Sequence, residues 1–351
     1  MGAHKLTTDS IATPAAVQAR AWRDGLVAYP GTVAFLLLMA IAVPFLGAFW
    51  VRTFTAMLII AIGAWGVAIL QARLGLVSLA GIAMIGLGGW IALRLNHATG
   101  LPFEVVLILT AAITAMVALV LGLPALRHRG LLYSLLTLMF AAAFHVIVSS
   151  VGFPDGGSGF WGRVTGSTQR MLMPRPAIAQ GHLAYFFYVL VVVALCFAFS
   201  QVMLRSRLGR AWAMIRISDS VAQSCGIRVG WARAKAFALA GGLAGVAGCL
   251  WAGSVGQLDG RSFDPLQSLL LFGLVVVAGP WSMIGALLAG FLYRVFPAIL
   301  DSLGVTGHVA TMIFGAALIH AIVTAPRGIA GQLEDLFAAI SRRLDTERKR
   351  Q

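Results

Sequence analysis

Long apolar runs separated by short polar stretches dominate the chain. Ten such runs occupy residues of about 32–50, 54–71, 75–95, 103–123, 131–150, 183–204, 236–256, 266–279, 283–300 and 306–325. Most have roughly the 17–25 residues that a membrane-spanning helix needs, and their continuous apolar character favours helices over the alternating strands of a barrel. The run at 266–279 is short, which predicts a re-entrant limb or a half-helix. The pattern therefore predicts an all-α polytopic membrane protein.

Composition supports the membrane class and changes the interpretation of the charge. Hydrophobic residues make up 60% of the chain and charged residues 11%, whereas soluble domains carry about 25% charged residues. The net charge of +14 would suit a nucleic-acid-binding protein. The basic residues lie at the ends of the apolar runs, however, which is typical of the positive-inside bias of membrane topology. We therefore expect no nucleic-acid partner.

The distribution of Lys and Arg also predicts the orientation. With the N-terminus in the cytoplasm, nineteen basic residues fall inside, six fall outside and Arg294 lies within a run. This asymmetry places both termini of a multi-pass membrane protein in the cytoplasm. The predicted organisation is a cytoplasmic tail (1–31), a transmembrane domain (32–326) and a second cytoplasmic tail (327–351). The spacing of apolar residues in the last tail predicts an amphipathic helix on the lipid surface.

The longest polar interruption on the cytoplasmic side is the segment 205–235. It carries seven basic residues against one acid, Asp219, a charge density that excludes it from the bilayer. Its part Ala213–Gly226 is predicted to form one short helix that contacts a soluble partner. A simple solvated loop is the alternative.

Two glycine-interrupted stretches lie in oppositely oriented runs. Residues 75–86 (GLVSLAGIAMIG) and 273–285 (GLVVVAGPWSMIG) share Gly-Leu-Val, Ala-Gly and Met-Ile-Gly. Their offset of five runs is what an inverted repeat of five plus five helices requires, although a chance match of Gly/Ala-rich sequences remains the alternative. Interrupted helices can offer backbone groups to a polar solute. The candidate residues of a solute path are Ser78, Gly81, Gly279 and Ser282, with close helix packing as the other interpretation.

The largest external loop, 151–182, is rich in Gly, Pro, Ser and Thr. Such a composition predicts turns rather than regular structure. Its residues Asp155, Gly157, Phe160 and Trp161 are candidates for contact with an external partner. The aromatic side chains are equally suited to anchoring the loop at the membrane interface.

Motifs for catalysis and cofactor binding are absent from the sequence. It contains no Gly-Lys dipeptide and therefore no Walker motif for ATP, and it contains no HExxH, CxxC or GxSxG element. Cys196, Cys225 and Cys249 have no paired spacing, so neither a metal site nor a disulfide framework is predicted. We expect a non-enzymatic protein without a cofactor, whose energy comes from a partner.

Several motifs, in order along the chain, resemble one family. Residues 210–229 (RAWAMIRISDSVAQSCGIRV) resemble the cytoplasmic coupling segment of permease subunits of branched-chain amino-acid ABC importers, the LivM-like group. GLVSLAGIAMIGLGGW, RGLLYSLLTLMF, GFPDGGSGF and the late Ala-Pro-Arg-Gly-Ile resemble further family motifs. The resemblance covers residues of about 50–331. The chain departs from the family pattern where Asp219 is the only acid of the coupling segment and where Pro280 and Trp281 replace a glycine-rich turn.

The resemblance implies the fold of a type II ABC importer permease and a set of partners. These partners are cytoplasmic ATPase subunits, a second permease subunit in a heterodimer, and a periplasmic or external solute-binding protein. It assigns Arg210, Arg216, Asp219 and Gly226 to the coupling segment that meets the ATPase. Urea, short-chain amides or other amino acids are alternative substrates. A passive solute channel and an assembly protein are alternatives from other classes.

Overall fold

The computed structural model describes residues 29–123, 131–151, 173–256, 258, 260–304, 315 and 328–331, and within them it is helical with no strand. The helices are α1 (Tyr29–Ala42), α2 (Ala48–Leu74), α3 (Gly81–Thr99), α4 (Phe103–Gly122), α5 (Leu131–Val151), α6 (His182–Arg205), α7 (Arg207–Ile217), α8 (Asp219–Ser224), α9 (Val229–Val255), α10 (Pro265–Ala278) and α11 (Met283–Ser302). Short 3₁₀ turns occupy Val43–Phe45 and Gly260–Phe263.

Among the described helices, six are long and apolar enough to cross a membrane. They are α2, α4, α5, α6, α9 and α11, while α1 and α10 are shorter apolar helices. This confirms the all-α, polytopic membrane class. Nine of the ten predicted runs contain a described helix, and the tenth, 306–325, lies outside the described residues except for Gly315. The number of complete crossings and the inverted repeat stay predictions.

Two predicted boundaries differ from the structure for local reasons. The break between the first two runs falls at Leu46–Gly47 rather than near 50–54, because Pro44 lies in a 3₁₀ turn that ends the first helix. The third apolar run begins at residue 75, within the stretch predicted to be glycine-interrupted, but α3 begins at Gly81. Gly75 has a φ of +68° and ends α2, and residues 76–80 between the two helices are not helical.

The centre of the fold is the pair α2 and α9, which are largely buried inside the chain, whereas α4, α5 and α6 expose most of their apolar surface. Glycines allow α9 to approach its neighbours closely. A methyl group at Gly66 of α2 would lie 2.9 Å from the carbonyl oxygen of Ala240, and one at Gly248 would overlap the carbonyl oxygen of Ile85 in α3. Packing through small residues is the usual way for helices to associate in lipid.

Two of the long helices contain a π-helical turn. The turn Leu70–Leu74 ends α2, and the turn Phe291–Val295 interrupts α11 and carries Arg294. The guanidinium of Arg294 lies over the ring of Trp251, 4.3 Å from its centroid. A cation–π contact of this kind stabilises a charge at membrane depth.

Candidate functional site

The polar segment between α6 and α9 forms two helices rather than the one predicted over Ala213–Gly226. Helix α7 is N-capped by Ser206, whose Oγ accepts a hydrogen bond from the amide of Leu208 at 3.2 Å. At Ser218 the backbone is extended, with φ −162° and ψ 133°, and its hydroxyl lies 2.8 Å from that of Ser220. Serine side chains that compete for local hydrogen bonds favour such breaks. The single-helix prediction was therefore wrong, and the unit is the α7–α8 segment (207–224).

Gly226 gives the α7–α8 segment a defined end. Its φ of +77° is a left-handed conformation that favours glycine. The amide of Gly226 donates to the carbonyl oxygen of Gln223 at 2.9 Å, and that of Ile227 to Ala222 at 3.0 Å. The role of Gly226 that the structure describes is thus to close the helix and return the chain toward α9.

A buried tryptophan joins α7 to α9. Trp212 has no exposed surface, and its Nε1 donates a hydrogen bond of 2.7 Å to the carbonyl oxygen of Ala232. This bond satisfies the buried indole N–H and fixes the position of α7 against the start of α9. No pattern in the sequence indicates this role of Trp212.

A buried ion pair joins α8 to α9. One terminal nitrogen of the Arg233 guanidinium lies 2.7 Å from Oδ2 and 3.0 Å from Oδ1 of Asp219. Both side chains are nearly inaccessible, at 5% and 9% exposure. Asp219, predicted as a coupling residue, is therefore directed into the protein. Arg233 is its partner, and only their opposite charges could have indicated this pairing in the sequence.

Arg216 joins α7 to two further elements. Its guanidinium lies over the ring of Trp281, 4.7 Å from the centroid, and it donates a hydrogen bond to the carbonyl oxygen of Gln71 near the end of α2. Burial lowers the pKa of Arg216. Trp281, which departs from the family pattern, lies in the turn between α10 and α11. Its ring thus pairs with Arg216 of α7.

The opposite side of the α7–α8 segment carries exposed apolar side chains. Ile217 is 75% exposed and Val221, four residues later, is 50% exposed. Arg210 and Gly226 also lie at the surface. Large aliphatic side chains in a polar, highly charged segment suit contact with another protein.

Ser78 and Gly81, two of the predicted path residues, line a cavity of about 40 Å³ between α2, α3, α4, α5 and α9. Tyr133 and Thr137 of α5 also line it. The amide of Leu79, next to Ser78, donates to Oγ1 of Thr137 at 3.0 Å. The volume suits water, since ligand pockets measure roughly 300–1,000 Å³.

The other two predicted path residues, Gly279 and Ser282, lie in the turn between α10 and α11 and do not line this cavity. Oγ of Ser282 caps α11 by accepting a hydrogen bond from the amide of Gly285 at 3.2 Å. Helix α10, whose second half belongs to the second glycine-interrupted stretch, contacts the first stretch near its own start. Oγ of Ser268 accepts a bond of 3.1 Å from the amide of Ile82. A role of the four residues in transport stays a prediction.

Of the large external loop, the structure describes only the end that returns to α6. The predicted contact residues Asp155, Gly157, Phe160 and Trp161 lie outside the described residues. The returning end is attached to α9, because the amide of Met173 donates to the carbonyl oxygen of Gly256 at 2.8 Å. A guanidinium nitrogen of Arg175 donates to the carbonyl oxygen of Ser254 at 3.2 Å.

The described residues thus form a helical membrane domain with a polar two-helix segment attached to its central helix. Residues 49–322 match the family model described as "Branched-chain amino acid transport system / permease component". This match covers more than three quarters of the chain, so the chain belongs to that family. The resemblance proposed from the motifs is thereby confirmed.

Curated relatives support the same assignment. The chain is 26% identical over 328 residues to the high-affinity branched-chain amino acid transport system permease protein LivM of Salmonella typhimurium, covering 84% of this chain and 73% of the relative. LivM of Escherichia coli gives the same identity and coverage. A probable ABC transporter permease protein of Escherichia coli, YphD, is 27% identical over 139 residues, or 38% of this chain and 42% of the relative.

Proposed function

We propose that this chain is the membrane subunit of an ATP-driven importer for branched-chain amino acids. It forms part of the translocation path and receives its energy from cytoplasmic ATPase subunits that dock on the α7–α8 segment. A second permease subunit and an external solute-binding protein complete the transporter in the inner membrane. Family membership supports the transport role, and the names of the LivM relatives support the substrate class.

The observation that carries this proposal is the two-sided character of the α7–α8 segment. One side is joined to the membrane helices by Trp212, Arg216 and Asp219. The other side exposes Ile217 and Val221. A segment built in this way can bind a soluble subunit and pass its movement to α9 and to the α10–α11 turn.

The docking surface is tested by Ile217→Asp and Val221→Asp. Each change should weaken copurification with the ATPase subunits by about tenfold or more, because a charge would replace an apolar side chain at the centre of the contact. Leu303→Asp is a matched control, since Leu303 is 72% exposed but follows α11 at the predicted external face. Unchanged ATPase binding in both segment variants would refute the docking site.

The substrate class is tested by uptake into proteoliposomes that contain the complete transporter. We expect uptake of leucine, isoleucine and valine that requires ATP and the binding protein. Dominant competition by urea or acetamide would favour the amide-type alternative. Flux without ATP or partners would favour a passive channel.

The proposed solute path is tested at one residue of each glycine-interrupted stretch. Ser78 and Gly81 line a cavity, so Ser78→Cys should react with a water-soluble thiol reagent at a rate that changes during ATP turnover. Ser282→Cys in the same cysteine-free background tests the second stretch, and inertness of both in an active transporter would leave only a packing role.

The external docking site is tested by a deletion. Deletion of residues 155–161 should abolish stimulation by the binding protein, and unchanged stimulation would exclude that contact.

A further inference from the structure

Two arginines and a histidine from three parts of the chain meet at the predicted external face. They are Arg52 in the first turns of α2, Arg175 in the returning end of the external loop, and His182 at the start of α6. A terminal nitrogen of Arg52 lies 2.9 Å from Nε2 of His182, and one of Arg175 lies 3.1 Å from Nδ1. We call this group the outer cluster.

The hydrogen-bond donors of the outer cluster outnumber its acceptors. A guanidinium only donates hydrogen bonds, and a neutral imidazole has one donor and one acceptor nitrogen. One of the two arginines therefore meets an N–H of His182 rather than a lone pair, and a protonated imidazole would repel both. An acceptor that takes the hydrogen bonds of both the N–H of His182 and that arginine, in place of their direct contact, removes the conflict.

The hydrogen bonds of the arginines indicate which side is open. Arg175 also donates to the carbonyl oxygens of Gln180 and Ser254, at 3.0 and 3.2 Å, and lies 5.2 Å from the ring centroid of Tyr185. These contacts fix the position of Arg175. Its guanidinium can therefore donate to Nδ1 of His182, which leaves the N–H on Nε2. Arg52 is exposed, and its hydrogen bond within the described residues is the one to His182. The missing acceptor is therefore on the Arg52 side, where an anion would replace the direct contact of 2.9 Å with Nε2 of His182.

No carboxylate of the described residues neutralises the outer cluster. Within the described residues, neither Arg52 nor Arg175 forms an ion pair with a carboxylate. Two guanidinium groups held around one imidazole attract an anion. A carboxylate has two acceptor oxygens and matches the adjacent donors of an arginine and an imidazole N–H.

We propose that Arg52 and His182 form a carboxylate-binding site at the external face, with Arg175 as the residue that positions His182. The proposal rests on the proposed function for the origin of the carboxylate. It belongs either to an acidic side chain of the external binding protein or to the amino acid being transported. The chemistry is the same in both cases, and the experiments separate them.

Occupancy of the site is tested first by chemistry that does not require transport. Purified protein in nanodiscs is treated with diethyl pyrocarbonate, with and without sodium acetate, against sodium chloride of equal ionic strength. Modification is read at each histidine by mass spectrometry. Acetate should slow the modification of His182 several-fold but not that of His97, and Arg52→Gln should abolish the protection. Equal modification of His182 with and without acetate would overturn the proposal.

The origin of the carboxylate is tested in the assembled transporter. If it comes from the binding protein, Arg52→Gln and His182→Gln should weaken binding-protein affinity by about tenfold and reduce its salt dependence. If it comes from the solute, that affinity should be unchanged while the KM for leucine rises by a similar factor. Arg52→Lys keeps the positive charge and should therefore change the affinity or the KM less than Arg52→Gln does. Arg261→Gln is the control, since it removes the same charge elsewhere in the predicted external segments. Normal affinity and normal KM in both Gln variants would overturn the proposal.

The two proposals can fail separately. A wild-type transporter without ATP-dependent uptake would refute the proposed function while leaving the acetate protection of His182 to be measured. A wild-type transporter with normal uptake whose His182 is not protected would refute only the carboxylate site.

Discussion

At the scale of single residues, burial changes the meaning of the charges in the polar segment. Asp219 and Arg216 were expected to contact a partner directly. The structure directs Asp219 to Arg233 and places Arg216 on Trp281. Reversing either charge is still expected to uncouple ATP hydrolysis from uptake, but through the loss of an internal contact that holds α7–α8 to the membrane helices.

The Asp219–Arg233 pair gives a test of stability. Asp219→Asn leaves a buried guanidinium without its counter-charge, and breaking a buried pair in this way costs about 3–5 kcal/mol. We expect a clear fall in the thermal unfolding temperature of the purified protein in detergent. Replacing both residues by leucine should recover most of that loss, since neither charge is then buried alone.

The control for this test is Arg228→Leu. Arg228 is exposed at the start of α9, so the same removal of a guanidinium should leave the unfolding temperature nearly unchanged. Equal effects of Asp219→Asn and Arg228→Leu would mean that the buried pair contributes no particular stability.

At the scale of helices, the contact of α9 with α3 depends on the absence of side chains. An added methyl group at Gly248 would overlap the carbonyl oxygen of Ile85, so the two backbones would have to separate. We expect Gly248→Ala to lower the unfolding temperature strongly and to reduce the folded yield. The same replacement at Gly242 is the control. There the methyl group would lie 3.6 Å from the nearest atom, an ordinary contact. A Gly248→Ala variant as stable as Gly242→Ala would contradict the close packing.

The sequence predicted the existence of most helices but not all of their ends. Continuous apolar runs are a strong signal, because only a helix satisfies its own backbone in lipid. The helix ends at Pro44, Gly75 and Ser218 depend on local backbone geometry, which a hydrophobic pattern does not record. The start of α3 at Gly81 depends on contacts from α5 and α10, and these involve residues far apart in the chain.

At the scale of the whole molecule, the orientation in the membrane rests on the distribution of basic residues. Two positions give a direct test. Cys225 is exposed just after α8, on the predicted cytoplasmic side, and Leu303 is exposed at the opposite end of α11. In intact spheroplasts, an impermeant maleimide should label Leu303→Cys but should label Cys225 only after permeabilisation. The reverse pattern would invert the topology.

The candidate sites show how far sequence reasoning extends. The location of the polar segment follows from charge alone, since seven basic residues cannot be embedded in lipid. The partners of Trp212, Asp219 and Arg216 come from α2, α9 and the α10–α11 turn. The outer cluster likewise joins residues 52, 175 and 182. Such groupings depend on how the helices pack, so single-sequence patterns could not identify them.

The three attachments of the α7–α8 segment have a mechanical consequence. A force applied at Ile217 is distributed to α9 through Trp212 and Asp219, and to α2 and the α10–α11 turn through Arg216. Because the α7–α8 segment is attached at separate points, it resists both rotation and bending at the Ser218 break. A pull on the segment toward the cytoplasm should therefore shift the inner ends of these helices together. The close, glycine-lined contact between α2 and α9 makes these two helices move as one body.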